Sequence, residues 1–310
     1  MPKKAQEERL EDMTPCIACL QGCVANMYAG NPVCCLTNPF LGHEAEPLEK
    51  AEEPKKVMVI GGGVAGLSAA FIAKERGHEV TLYEAGDVLG GNMRLAAYPP
   101  GKGDITNMIR SYIHRCQKDG VKIVMNCEVT PELIKEEKPD SVIIATGSKT
   151  LILPIEGIDN PAIIHGSDLL DGKRAAGKKV LVVGGGMVGC ETAAFLGEQE
   201  HDVTVIEFRD TVGADVIHEH RVYLMKDFED YGIKEITGAK VCKFYEDGVE
   251  YETADGVRHE SRGYDSVILS MGFRNYNPLE EKIKDLVPET HVIGDATVSY
   301  THLRAHETRE

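Results

Sequence analysis

Short apolar runs bounded by glycine recur along the chain and predict buried parallel strands. Two of them, residues 57–60 and 180–183, each follow a lysine and lead directly into glycines. An apolar run of this length without polar alternation is typical of a strand that is covered on both faces. Alanine-rich stretches with helical spacing follow at 67–76 and 190–199. The pattern therefore predicts strand–helix units that build a parallel sheet.

These units form an internal repeat. Residues 56–66 and 179–189 have nearly the same sequence. Each of these two segments leads to a second apolar run that ends in a glutamate, Glu84 or Glu207. In both copies the glutamate lies 23 residues beyond the first glycine of the phrase. Two strand–helix–strand units with equal internal dimensions predict two dinucleotide-binding folds.

The rest of the pattern predicts an α/β protein around this repeat. Helices are expected at 105–119, after Pro131 and at 217–230. Further strands are expected at 121–125, 141–145, 239–245, 248–253, 267–270 and 291–295. The first 50 residues show no strand periodicity, and a stretch rich in Glu, Lys and Pro at 44–56 is typical of a linker.

Composition and charge exclude several classes of function. The 310 residues are enough for two mid-sized domains and one extra segment. No apolar run approaches the roughly 20 residues of a membrane span, so an integral membrane protein is not expected. The formal net charge of −16 argues against nucleic acid or an anionic membrane as partner, because both attract clustered positive charge. Nine cysteines without a signal peptide fit a reducing cytoplasm better than a disulfide scaffold.

The first repeat predicts a nucleotide site at Gly61, Gly63 and Gly66, with Glu84 as the ribose acceptor. The first glycine permits a tight turn, the second lets a pyrophosphate approach, and the third allows the helix to pack on the strand. The helix N-terminus supplies free N–H groups and the positive end of its dipole to the phosphates.

The second repeat carries the same prediction at Gly184, Gly186 and Gly189, with Glu207 as the acid. A carboxylate at that position repels a 2′-phosphate, which favours NADH over NADPH. Arg209 lies two residues further on and keeps NADPH open as an alternative.

Five cysteines fall within the first 35 residues and indicate metal chemistry. Cys16, Cys19, Cys23 and Cys35 form a quartet of soft ligands that suits an iron–sulfur cluster or tetrahedral zinc. Cys34 does not match the spacing and is interpreted as a bystander. The other four cysteines are scattered singly and are expected to be packing residues.

These motifs resemble a known family. Gly90–Gly91 after the first acid, Ala145–Gly147 closing a strand, and Gly294–Asp295 near the end are similar to the flavoproteins with two dinucleotide-binding domains. The asymmetric cysteine spacing resembles the [4Fe-4S] site of the old-yellow-enzyme-like iron–sulfur flavoproteins. That group includes 2,4-dienoyl-CoA reductase, 2-enoate reductase, the bile-acid NADH:flavin oxidoreductases and trimethylamine dehydrogenase.

The resemblance implies where each cofactor binds. It implies FAD contacts at Gly61, Gly63, Gly66, Glu84, Gly91, Asn92, Thr146, Gly147 and Asp295. It implies pyridine-nucleotide contacts at Gly184, Gly186, Gly189, Glu207 and Gly272. The expected organisation is an iron–sulfur segment (1–50), an FAD-binding domain in two parts (51–150 and 271–297) and an inserted NAD(P)H-binding domain (151–270).

The function that the resemblance implies is electron input. NADH would reduce FAD, and a [4Fe-4S] cluster at the cysteine quartet would relay single electrons to FMN in a (β/α)8 barrel. That barrel, which would reduce an activated C=C bond of a small molecule such as an enoate or a dienoyl-CoA, has no counterpart in these 310 residues. The chain is therefore expected to be a fragment, and no catalytic acid or base for the substrate step is assigned. Its oligomeric state is not predicted.

Four alternatives carry their own tests. A dithiol–disulfide reductase needs a redox cysteine pair, whereas residues 92–95 read Asn-Met-Arg-Leu. A subunit like the small subunit of glutamate synthase should show two cysteine sets. A free-standing NAD(P)H:acceptor reductase (a diaphorase) would need no barrel. An ADP-holding binding module, as in trimethylamine dehydrogenase-like proteins, would bind no flavin at the first site.

The last residues are expected to be foreign to the protein. Residues 298–310 resemble one reading frame of a transposase adaptor used in DNA sequencing libraries. A segment of this origin is not expected to contribute to the fold. A genuine polar C-terminal tail is the alternative.

Overall fold

Each glycine-bounded apolar run forms the central strand of a five-stranded parallel sheet in a computed structural model, which describes residues 2–46 and 48–297. The segment 298–310, expected to derive from an adaptor, lies outside the described residues. The chain divides into two compact units, one formed by 2–97, 102–149 and 274–297, the other by 98–101 and 150–273.

Helices and strands alternate along most of the chain. Those that precede the second glycine phrase are α1 (Pro2–Gln6), α2 (Asn26–Tyr28), β1 (Lys56–Ile60), α3 (Val64–Glu75), β2 (Glu79–Tyr83), α4 (Asp104–Lys118), β3 (Lys122–Val124), α5 (Pro131–Glu137), β4 (Ser141–Ile144), β5 (Ser148–Thr150), β6 (Ile164–His165) and α6 (Gly166–Leu170). Those that follow are β7 (Lys179–Val183), α7 (Met187–Glu198), β8 (Asp202–Ile206), α8 (His218–Asp230), β9 (Lys234–Ile236), β10 (Lys240–Tyr245), β11 (Gly248–Glu252), β12 (Arg258–Arg262), β13 (Ser266–Leu269), β14 (Phe273–Asn275), α9 (Glu280–Ile283) and β15 (Glu289–Val292).

The sheet of the first unit has the order β15-β4-β1-β2-β3. Side chains of β1 alternate between its two faces, as the strand geometry requires. Val57 and Val59 pack with Phe71 of α3, whereas Met58 and Ile60 pack on the opposite face with residues of α5 and α9. Helices therefore cover both faces, which explains why the strand is apolar throughout.

The sheet of the second unit has the order β6-β13-β7-β8-β9. Its four strands β7, β8, β9 and β13 repeat the order of β1, β2, β3 and β4 in the first unit, and the fifth comes from the segment that precedes the repeat. One face packs on α7 and α8. The other face packs on the antiparallel sheet β10-β11-β12, with Phe244 and Val249 fully buried against Leu181.

The structure confirms the predicted α/β class and corrects two helix boundaries. Helices α3 and α7 begin at Val64 and Met187, three residues earlier than predicted. The third glycine of each phrase therefore lies within the first turn of its helix and not before it. Pairing in the first-unit sheet is parallel throughout, with Val59 opposite Leu82 on one side and Ile143 on the other. Within the described ranges, no helix combines the length and apolarity of a membrane span.

Candidate functional site

The turn between β1 and α3 uses its three glycines for three different reasons. Gly61 has a φ of +110°, and a side chain there would collide with the carbonyl oxygen of Ala145. A side chain on Gly66 would collide with the carbonyl oxygen of Gly61, so helix and strand meet at backbone contact. A side chain on Gly63 would meet no atom within 4 Å. Space is therefore left open at the N-terminus of α3, where a phosphate gains most from the helix dipole.

Glu84, at the end of β2, is held against this turn. One carboxylate oxygen accepts the N–H of Gly62 at 2.7 Å, and the other accepts the N–H of Gly86 at 2.7 Å. Each oxygen of a carboxylate can accept about two hydrogen bonds. The side chain is thus fixed beside the glycine turn with acceptor capacity left for the hydroxyls of a ribose.

The remaining residues predicted for FAD come together from three segments of the first unit. Asn92 Nδ2 donates to the carbonyl oxygen of Ser148 at 3.2 Å, and the Ser148 hydroxyl donates to an oxygen of Asp295 at 3.2 Å. Burial raises the pKa of Asp295, and the bond from Ser148 opposes that rise. The sequence does not predict Ser148, because its partners lie 56 and 147 residues away along the chain.

Two further residues of the predicted FAD site, Thr146 and Gly147, form hydrogen bonds with the backbone of Tyr276. The Thr146 hydroxyl donates to the carbonyl oxygen of Tyr276 at 2.5 Å, and the carbonyl oxygen of Gly147 accepts the N–H of Tyr276 at 2.9 Å. Gly91 begins a 3-10 helix that ends at Ala97. These residues lie in loops near the start of α3, as is usual for sites at the carboxyl ends of parallel strands.

The second glycine turn reproduces the first within the second unit. Gly184 has a φ of +105°, and a side chain there would collide with the carbonyl oxygen of Ser270. Glu207 accepts the N–H of Gly185 at 2.5 Å and the backbone N–H of Arg209 at 2.9 Å. A side chain on Gly189 would collide with Gly184, as in the first turn. Gly272 has a φ of +97°, and its carbonyl oxygen accepts the N–H of Leu151 at 2.9 Å.

A carboxylate that the sequence did not single out lies at this second turn. Oδ1 of Asp215 accepts the N–H of Met187, the first residue of α7, at 2.9 Å. Asp215 follows Glu207 by eight residues, and Asn92 follows Glu84 by eight residues. This equal offset is the signal that could have identified Asp215 from the sequence.

The cysteine segment bends sharply around Cys19. Ala18 and Leu20, which flank it, have φ values of +52° and +55°, a conformation that non-glycine residues seldom adopt. Backbone groups of Gln21 and Gly22 form hydrogen bonds with the Cys19 thiol that favour its thiolate. Burial outweighs them and raises the pKa of Cys19.

Four of the thiols influence one another electrostatically. Burial, followed by the electrostatic influence of Cys35 and Cys23, raises the pKa of Cys19 and of Cys34. Cys16 is exposed and accepts a bond from the N–H of Ala18 at 3.3 Å. In the part of the chain that the structure describes, no three His, Cys, Asp or Glu side chains stand in the geometry of a metal site. The predicted quartet therefore stays a prediction.

Helix α4 holds this segment in the first unit. The Tyr112 hydroxyl donates to the carbonyl oxygen of Thr37 at 3.0 Å, and the Thr37 hydroxyl donates to that of Pro15 at 3.0 Å. Asp12 pairs with Lys118 at 2.5 Å and with His114 at 3.1 Å. The hydrogen bonds from Lys118, Arg9 and His114 hold the pKa of Asp12 well below its usual range. The hydrogen bonds and ion pairs with α4 thus fix the cysteine segment to the first unit.

Comparison with known proteins shows the family to which this chain belongs. Residues 55–291 match the family described as pyridine nucleotide-disulphide oxidoreductase. The chain is 34% identical over 300 residues to a cinnamate reductase of Clostridium sporogenes, which covers 96% of this chain and 44% of the relative. It is 35% identical over 304 residues to an NADH oxidase of Thermoanaerobacter brockii, which covers 95% of this chain and 46% of the relative.

A solved structure is similar to this chain over nearly its whole length. A 2-naphthoyl-CoA reductase in complex with 2-naphthoyl-CoA aligns with a TM-score of 0.94 at 34% identity, over 99% of this chain and 47% of that one. These matches confirm the predicted resemblance to the flavin-dependent reductases. The chain spans less than half the length of these relatives.

Proposed function

The chain belongs to the pyridine nucleotide-disulphide oxidoreductase family, and from this premise we propose that it is the electron-input module of an NADH-dependent iron–sulfur flavoprotein. As a member of that family it is an NAD(P)H oxidoreductase with sites for FAD and NAD(P)H. The proposal assigns FAD to the first unit, NADH to the second, and a [4Fe-4S] cluster to the cysteine segment. FAD takes up a hydride as an electron pair and can release single electrons, which a cluster of this kind carries one at a time.

The first unit supports FAD by the shape and polarity of its turn. The open space at Gly63 and the free N–H groups at the start of α3 suit a pyrophosphate. Glu84 is oriented to accept from a ribose, and Asp295 is half-buried with one oxygen bonded to Ser148. Hydrogen bonds link the side chains of Asn92, Ser148 and Asp295. A site that holds ADP alone has no ribityl chain or flavin ring for these groups to contact, which favours FAD over the ADP-holding alternative.

The second unit supports NADH through Glu207. Its carboxylate is fixed beside the turn by two backbone N–H groups, the same arrangement as Glu84. A negative charge held there accepts the two hydroxyls of an adenosine ribose and repels a 2′-phosphate. The exposed Arg209 is bonded to Glu207 through its backbone. We therefore propose NADH as the preferred donor, with NADPH as the weaker one.

The cysteine segment supports a cluster by its ligand type and local bonding. Thiolates are the ligands of [4Fe-4S] clusters, and backbone N–H groups directed at the sulfur stabilise the thiolate form. The bonds from Gln21 and Gly22 to Cys19 are of this kind. We propose Cys16, Cys19, Cys23 and Cys35 as the ligands, and Cys34 as a neighbour that packs on Gly22.

The substrate of the intact protein is proposed from its relatives. Cinnamate reductase and 2-naphthoyl-CoA reductase are named for conjugated acids or their CoA esters. We propose that a further domain with FMN, in the part of the relatives that this chain does not span, reduces an activated C=C bond of a small molecule. A free-standing NADH:acceptor reductase is the second candidate, favoured by the likeness to the NADH oxidase. We propose the cytoplasm as location, because all nine cysteines, each within the described residues, are free thiols.

The observation that carries the proposal is the matched pair of turns, in which Glu84 accepts the N–H of Gly62 and Glu207 accepts the N–H of Gly185. The test uses the full chain, purified without oxygen and reconstituted with FAD, iron and sulfide. We expect bound flavin by absorption, NADH-dependent reduction of ferricyanide, and no reduction of cinnamate.

The cluster is tested separately by metal content. Cys23→Ser should lower bound iron and acid-labile sulfide at least tenfold while flavin content stays unchanged. Cys242→Ser, a matched change on β10, should leave both unaltered. Equal iron in the two variants would remove the cluster from the proposal, and a colourless chain that does not oxidise NADH would overturn the whole of it.

A further inference from the structure

The loops that follow the two glutamates are built alike. In the first unit the N–H of Gly90 donates to the carbonyl oxygen of Gly62 at 2.8 Å. In the second unit the N–H of Gly213 donates to the carbonyl oxygen of Gly185 at 2.7 Å. Each donor lies six residues beyond its glutamate, and each acceptor is the glycine that directly follows the first glycine of its turn. The residues two positions further on are therefore structural equivalents.

These equivalent residues differ in charge and in what they bind. The first unit has Asn92, whose amide donates to the carbonyl oxygen of Ser148 and leaves the space at Gly63 open. The second unit has Asp215, whose carboxylate accepts the N–H of Met187 at 2.9 Å. The other oxygen of Asp215 lies 3.2 Å from where a Cβ on Gly186 would stand. A negative charge from the protein itself thus lies at the N-terminus of α7.

Asp215 can leave this position without unfolding of its loop. Val212 is fully buried, and its carbonyl oxygen accepts from Arg221 at 3.1 Å. The N–H of Val216 donates to the carbonyl oxygen of Gly213 at 3.1 Å. Hydrogen bonds therefore fix the backbone before and after Asp215. The backbone is fixed, whereas the half-buried carboxylate can turn away by rotation about its own side-chain bonds.

We propose that Asp215 is an affinity-determining residue that competes with the pyrophosphate of the pyridine nucleotide for the N-terminus of α7. This inference rests on the proposed function of the second unit as the NADH site. Each NADH that binds must displace the carboxylate and bring its phosphates close to a like charge. The second site therefore releases its dinucleotide readily, as a substrate site must, whereas Asn92 lets the first site retain a prosthetic group.

The test is Asp215→Asn in the full chain reconstituted with FAD. Asparagine keeps an acceptor for the Met187 N–H and removes only the charge. We expect the variant to bind NADH and ADP about twofold to fivefold more tightly, the usual effect of one charge at a helix N-terminus, and adenosine equally well. Fluorescence titration of NADH and calorimetric titration of ADP and adenosine measure this. The gain should shrink at high salt, because ions screen the repulsion.

Asp210→Asn is the matched control, since Asp210 is exposed in the same loop and loses the same charge. It should leave all three affinities unchanged. Asn92→Asp gives the reciprocal test and should lower FAD retention after dialysis.

The outcomes separate the inference from the proposed function. If the wild-type chain binds NADH and Asp215→Asn binds it no more tightly, the inference fails and the proposed function stands. If Asp210→Asn tightens binding as much, the general charge of the loop is responsible and the inference also fails. If the wild-type chain binds neither NADH nor ADP, both fail.

Discussion

Gly63 and Gly66 lie in the same turn, yet the surroundings of their α-carbons differ. A methyl group on Gly66 would overlap the carbonyl oxygen of Gly61, whereas one on Gly63 would enter open space. Gly63→Ala should therefore lower the free energy of unfolding by at most about 1 kcal/mol, because alanine is a poorer N-cap than glycine but its methyl group meets no other atom. It should weaken FAD binding at least tenfold, because the methyl group occupies the position of the phosphate.

Urea unfolding and flavin titration measure the two effects separately. Gly66→Ala is the contrasting variant and should lower both stability and flavin content. Equal FAD affinity of Gly63→Ala and the wild-type chain would show that the open space does not hold a phosphate.

The residues of the site differ in how far the sequence could predict them. The six turn glycines and both glutamates follow from local rules, because a tight turn and a ribose acceptor have fixed spacings. Ser148 depends on contacts with distant segments, and nothing in its neighbourhood marks it. Asp215 resembles an ordinary loop aspartate until the backbone bond from Gly213 to Gly185 fixes the register between the two loops.

At the scale of elements, α4 supports the cysteine segment through the buried Tyr112. Burial, followed by the charge of Cys35, raises the pKa of Tyr112 to about 12. The unfolded chain loses this proton near pH 10, whereas the folded chain keeps it up to about pH 12. The contribution of Tyr112 to the free energy of unfolding is thus fully present below pH 10. It falls by roughly 2 to 3 kcal/mol as the pH rises to 12.

Tyr112→Phe removes this dependence. The difference in the free energy of unfolding between wild type and variant should be about 1 kcal/mol at pH 8, the value of one hydrogen bond, and should diminish or reverse by pH 11.5. The thiols of Cys116 and Cys190, with pKa values raised to about 12, titrate in both proteins and cancel. Curves that stay parallel from pH 8 to 11.5 would contradict the assignment.

Element boundaries show a second limit of sequence reasoning. Apolar periodicity locates α3 and α7 correctly but places their starts three residues late, at Leu67 and Cys190 instead of Val64 and Met187. The glycine motif interrupts the pattern there, since Gly66 and Gly189 contribute no side chain to it. Of the antiparallel sheet β10-β11-β12, the pattern predicts β10 and β11 as alternating strands, but it does not show which sheet they pack on. It misses β12, whose residues are polar and mostly exposed.

For the whole molecule, the two units should respond to different ligands. FAD bound to the full chain should slow the hydrogen exchange of the amides in α3 and in the loop at Gly91. Added NADH should slow the exchange of the amides in α7 and in the loop at Asp215. A ligand at 100 times its Kd adds at most about 2.7 kcal/mol of protection to its own unit. Protection of α3 by NADH in the absence of FAD would contradict the assignment of the two nucleotides.

The strand β15 closes the edge of the first-unit sheet beside β4, yet residues 150–273, nearly all of the second unit, lie between them in the chain. During translation the inner unit is therefore complete on the ribosome while β4 still exposes unpaired N–H and C=O groups. At bacterial and eukaryotic elongation rates this interval lasts roughly 7 to 30 s. A nascent chain with such an open edge invites pairing with other strands, so its biosynthesis should depend on chaperones that shield β4 until the last strand arrives.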